Sequence, residues 1–96
     1  MPLDGSEFFV SGVTQELVVA RQRIKDGWCH KGGRNRNGVC MIFALGGDNE
    51  VRKSCMRFLS IAIGDLPLVA WNDHDDRVKD DVLEAYDKAI ELSLTV

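Results

Sequence analysis

The chain has 96 residues, of which 45% are hydrophobic and 28% charged, and its net charge is −3. These values describe one small soluble domain with a single modest core. They exclude a membrane-spanning helix, because no stretch approaches the roughly 18 apolar residues that a span requires.

The opening segment "MPLDGSEFFVSG" lacks the basic and apolar regions of a secretory leader. Cys29, Cys40 and Cys55 are odd in number, separated by 11 and 15 residues, and form no CxxC pair. Reduced, mostly buried thiols and a cytoplasmic location are therefore expected. The charge is unevenly spread. Residues 21–36 hold six Lys or Arg and one acid, whereas residues 73–91 hold eight acids and three bases. Such a split either steers a charged partner, lets two copies meet head to tail, or marks two solvated faces.

An all-α domain of about four helices over residues 14–96 is expected, preceded by an arm at residues 1–13. In the arm, Pro2, Gly5 and Gly12 favour extended backbone, while Phe8, Phe9 and Val10 are apolar enough to dock on the core or on another chain. Thr14 is the expected N-cap of a first helix over 14–27, with Leu17, Ala20, Ile24 and Trp28 along one face and Gly27 weakening its end. "CHKGGRNRNG" at 29–38 has the composition of a loop. "VCMIFAL" at 39–45 is a buried strand or two turns of buried helix. Helix is the expectation, since no second strand is evident to pair with it.

Asp48 or Asn49 caps the next helix. Its apolar face is Val51, Cys55, Phe58, Leu59 and Ala62, and Arg52, Lys53 and Arg57 lie opposite. Gly64 stands where a left-handed terminating residue belongs, and Pro67 prevents continuation. A last helix over 78–94 carries Val82, Tyr86, Ala89 and Ser93 on one stripe, with Asp75 or Asp76 as its cap.

"WNDHDD" at 71–76 raises the question of a site. Asp73, His74, Asp75 and Asp76 have donor atoms for a divalent cation, but their spacing matches no known loop, and an anchored helix entry accounts for them. No metal or other cofactor is expected. Cys29 beside His30 is a poor nucleophile pair, because adjacent side chains seldom converge and no base or oxyanion site is apparent. "KGGRNRN" is not a P-loop, yet Lys31, Arg34 and Arg36 are suited to phosphate contacts. Trp71, Asn72 and Asp73 read as a structural lock or as the floor of a binding surface. Asn72 would bond backbone across the turn, and Arg77 would fold back on Asp73.

The segments "IKDGWCH" (24–30), "GVCMIFAL" (38–45), "AWND" (70–73) with Arg77, and "VLEAYDKAI" (82–90) resemble a family of small bacterial and phage proteins known as a domain of unknown function. Its members share a Gly-Trp at the end of the first helix, a Cys-x-x-x-Ala-Leu segment, and Trp-Asn-Asp followed by Arg and an acidic last helix. The likeness covers roughly residues 17–92. It departs at Phe43, where members usually have Gly or Ala, and at Val78, where a Thr or Ser cap is common. It implies an all-α fold and an origin near phages or mobile elements, but no activity.

The expected function is a non-enzymatic protein-binding module, alone or as a homodimer, such as a phage or mobile-element accessory that inhibits a host system. Its expected partner surface is Trp28, His30, Arg34, Arg36, Trp71, Asn72, Asp73, Asp76 and Arg77. The alternatives are nucleic-acid binding through Arg21, Arg23, Lys31, Arg34 and Arg36, and a metal-dependent enzyme centred on residues 73–76.

Overall fold

The computed structural model describes residues 11–30 and 34–95. The docking expected of Phe8, Phe9 and Val10, and the phosphate contact expected of Lys31, fall on residues outside the described ones. Among the described residues there are four helices and one short hairpin: α1 (Gly12–Asp26), β1 (Arg34–Asn35), β2 (Gly38–Val39), α2 (Asn49–Ala62), α3 (Leu68–Asp73) and α4 (Lys79–Thr95).

The first helix starts earlier than the sequence suggests, so Gly12 and Val13 belong to it and not to an arm. Ser11 is the cap, and its Oγ accepts the N–H of Thr14 at 3.1 Å. Thr14 lies one turn in and buried. Its hydroxyl lies 2.6 Å from that of Ser93 and so ties α1 to the far end of α4. Burial of the threonine is the reason it is not the cap.

The expected loop at 29–38 and helix at 39–45 are both corrected. Residues 34–39 form an antiparallel hairpin, and Val39 also bridges to Trp28 in parallel. The pairing partner that looked absent is thus supplied by the hairpin itself and by the chain leaving α1. After β2 the backbone turns through Met41–Ala44 with no helix. Gly38 makes this crossing feasible. Its φ is +147°, and a Cβ there would lie 2.0 Å from the backbone of Gly27.

The second helix follows its sequence signals closely. Asp48 Oδ1 accepts the N–H of Val51, and at the other end Asp65 N–H donates to Ser60 O while Gly64 N–H donates to Ile61 O. With Gly64 at φ +86°, that pair of bonds is a Schellman motif. Trp71, Asn72 and Asp73, expected as an anchor and turn leading into the last helix, instead end a short helix of their own, α3, which starts after Pro67. The last helix begins one residue later than expected. Neither Asp75 nor Asp76 caps it. Asp81 reaches back from the first turn to accept the N–H of Val78 at 3.2 Å.

Helices α1, α2 and α4 pack on one another. Leu17, Ala20 and Ile24 meet Cys55 and Leu59 from α2 and Val82, Ala85, Tyr86 and Ala89 from α4. Met41, Ala44 and Leu45 close one end. Each fully buried large aliphatic side chain contributes about 1.5–3 kcal/mol. The hydroxyl of Tyr86 crosses the core to donate to Met41 O at 2.6 Å, and burial holds its pKa well above the ordinary value. On α1, Glu16 accepts from Gly46 N–H at 2.7 Å and from Arg23 at 3.1 Å, while Arg23 also donates to Ala44 O. That clamp holds the 41–47 turn against the helix bundle.

Candidate protein-binding site

Asn72 is the centre from which the neighbouring surface is built. It is 1% exposed. Its Oδ1 accepts from the indole Nε1 of Trp28 at 2.7 Å and from Met41 N–H at 3.1 Å. Its Nδ2 donates toward His30 O at 2.8 Å, Asp73 Oδ1 at 2.9 Å and Cys29 O at 3.2 Å, so two hydrogens serve three acceptors. One amide therefore joins the exit of α1, the chain after β2, and α3. No buried side-chain nitrogen or oxygen among the described residues lacks a partner.

The flanking residues extend this knot. Trp28 and His30 meet edge to face, with ring centroids 4.6 Å apart, and His30 Nε2 lies 2.8 Å from Arg77 O. Arg77 donates to Trp71 O at 2.7 Å, and its guanidinium lies 3.7 Å over the Trp71 ring. The expected fold-back of Arg77 onto Asp73 is not formed. The acidic neighbour of Arg77 is Asp81, at 3.9 Å. Trp28, His30, Trp71, Asn72, Asp73 and Arg77 are thus brought together as the sequence suggests. Arg34 and Arg36 stand apart on the exposed hairpin, and Asp76 stands exposed on the turn before α4, where its N–H donates to His74 Nδ1.

The structure separates the basic residues of 21–36. Arg21 is 2.6 Å from Asp87 on α4, and Arg23 is engaged in the Glu16 clamp. Arg34 and Arg36 border a shallow depression with Gly27 and Gly38 and make no ion pair among the described residues. Also among the described residues, no three His, Cys, Asp or Glu side chains converge as a metal-binding group. Burial raises the pKa of the Cys29 thiol, with the neighbouring Cys40 adding to the effect. Burial, then the charge of Glu16, pushes that of Cys55 up to about 11. Both thiols are therefore protonated and poorly nucleophilic at neutral pH.

Beside the Asn72 knot, with Asn72 and Asp73 on its margin, lies a surface that sequence reasoning missed. Two adjoining depressions, of about 320 and 440 Å³, share Ile42 and Val69. Cys40, Phe43, Arg52, Asn72 and Asp73 complete the first, while Met56, Leu66, Pro67 and Leu68 are among those lining the second. Phe43, Leu66 and Val69 are each more than half exposed. The one available signal was the run Leu66–Val69 placed just after a helix stop. The exposure of Phe43 follows from the turn at 41–44, which the sequence did not reveal.

Among the described residues, no helix is long and apolar enough to cross a membrane. No protein-family model, no curated protein and no solved structure matches the chain.

Proposed function

We propose that this chain is a non-enzymatic protein-binding module that holds its partner in the groove between α2, α3 and the 41–44 turn. The carrying observation is the apolar groove itself. Phe43, Leu66 and Val69 present large side chains to solvent around the two adjoining depressions, while the buried side-chain polar groups among the described residues are fully paired. Contiguous exposed apolar surface of this kind marks interaction sites more often than isolated exposed residues do. Burial keeps the Cys29 and Cys55 thiols protonated, which argues against either as a nucleophile. The small size, acidity and single domain of the chain, with the phage or mobile-element origin that the resemblance implies, extend the proposal to an accessory that inhibits a host system.

Affinity capture from nuclease-treated bacterial lysate tests the reading, with the full chain and its Val69→Asp variant compared by mass spectrometry. A protein retained by the parent and lost by the variant is the expected outcome. Identical captured sets for the two chains would overturn it.

The nucleic-acid alternative now relies on fewer groups, because Arg21 and Arg23 are engaged within the chain. Lys31, Arg34 and Arg36 would give a logarithmic salt slope of only about −2.7 on duplex DNA. A slope near that value, cut to about −0.9 by Arg34→Ala with Arg36→Ala, would favour this alternative.

A further inference from the structure

We infer that the groove takes an acidic amphipathic segment of a different protein, an inference that deepens the protein-binding reading and depends on it. The apolar floor around Ile42 and Val69 has Arg52, Lys53 and Arg57 along its α2 side and one carboxylate, Asp73, on the other. That carboxylate already accepts from Asn72 Nδ2. None of the three cations forms an ion pair among the described residues.

The placement of these cations does not serve the helix. Arg52 and Lys53 lie in its first turns, where the helix end is itself positive, and Lys53 and Arg57 are like charges four residues apart. Asp48 and Glu50 offset the helix end, but they leave the groove edge positive. A partner helix or strand would seat apolar side chains on the floor and carboxylates against that edge. A second copy of this chain, related by a twofold axis across the groove, would bring Arg52, Lys53 and Arg57 against themselves, and one related by an axis along it would offer them a single carboxylate, Asp73. Charge thus disfavours a twofold pair over the groove and favours an acidic segment of a different chain.

The test uses the full chain and two fluorescein-labelled helical peptides of about 14 residues, a length near the limit for an isolated helix. Both carry the same leucine face, flanked by Glu in one and by Lys in the other. Anisotropy titrations at low salt are expected to show the Glu peptide binding at least about tenfold tighter, with the preference shrinking as salt screens it. Arg52→Glu with Lys53→Glu and Arg57→Glu should reverse the order, and Val69→Asp should abolish both interactions. Circular dichroism checks that these surface variants remain folded.

Equal, Val69-dependent affinities would overturn the acidic preference and leave the protein-binding reading intact. Binding by neither peptide would overturn the inference, and loss of Val69-dependent capture from lysate as well would overturn both. Residues 1–10 contain Asp4, Glu7, Phe8 and Phe9, a chemistry that also matches the groove. Glu-peptide binding seen only with Phe8→Ser and Phe9→Ser would show that the chain's own segment is the occupant, against the inference. A Val69-dependent dimer in sedimentation would count against it equally.

Discussion

Val69 and Asn72 are three residues apart on the same six-residue helix, yet one is 58% exposed and the other 1% exposed. Every buried side-chain nitrogen and oxygen among the described residues has a partner, and those of Asn72 are drawn from three stretches of chain, residues 28–30, Met41 and Asp73. Around Val69 the surface is apolar, and the nearby cations are unpaired among the described residues. The contrast separates what α3 does for the fold from what it offers to solvent. A hydrogen-bonded knot of this kind fixes position. An apolar shelf with an unpaired charged edge makes no such contribution to the fold, and it is there that the proposed recognition would act.

Substitutions on the two sides should therefore differ most in stability. Asn72→Ala strands the Trp28 indole, Met41 N–H and two carbonyls, and should cost about 3–5 kcal/mol, read as a shift in the urea midpoint. A loss under 1 kcal/mol would mean that water replaces the amide and the knot is dispensable. Tyr86→Phe leaves Met41 O without its donor at the same junction. It should cost about 1–3 kcal/mol in the same assay.

A smaller effect appears as a pH dependence. Tyr86 and Cys55 are both held in their neutral forms, with folded pKa values above the unfolded ones. Their contribution is fully present below about pH 8 and declines as the pH rises past each unfolded value. The melting temperature should be level from pH 7 to about 8, fall past the ordinary thiol value because Cys55 and the likewise raised Cys29 ionise in the unfolded chain, and fall further past the ordinary phenol value because of Tyr86. Cys55→Ser should reduce the earlier part of that decline and leave the share of Cys29. On the groove side, Phe43→Ser and Val69→Asp should leave stability within about 0.5 kcal/mol of the parent while abolishing partner capture. If either unfolds the chain, the groove is part of the core and the comparison fails.

The helices were more legible than the site because their signals are local. Asp48, the spacing Val51–Cys55–Leu59 and Gly64 lie within one segment and define α2 almost to the residue. The hairpin was hidden because its partner strand is two residues long and Trp28 provides the third pairing from outside it. That fact also turned the apolar run at 39–45 from a helix into a strand and a turn. Trp71-Asn72-Asp73 was readable as a lock, since a buried amide beside a tryptophan has backbone to satisfy. The direction of Arg77 was not, because its choice of Trp71 and Asp81 over Asp73 depends on where α4 begins. The groove was least legible of all. It exists only where α2, α3 and the turn at 41–44 meet, and no segment carries it alone.

The knot at Asn72 also bears on the order in which the chain assembles. Its bonds to Trp28, Cys29 and Met41 span 44, 43 and 31 residues, whereas α2 is complete between its own cap and stop. Contacts over such separations require large loops to close, and they form after local helices and their first docking. Asn72→Ala should accordingly leave the refolding rate nearly unchanged and appear almost entirely as faster unfolding in a chevron plot. In this small chain the amide would set how long the native state persists and have little bearing on how quickly it is reached.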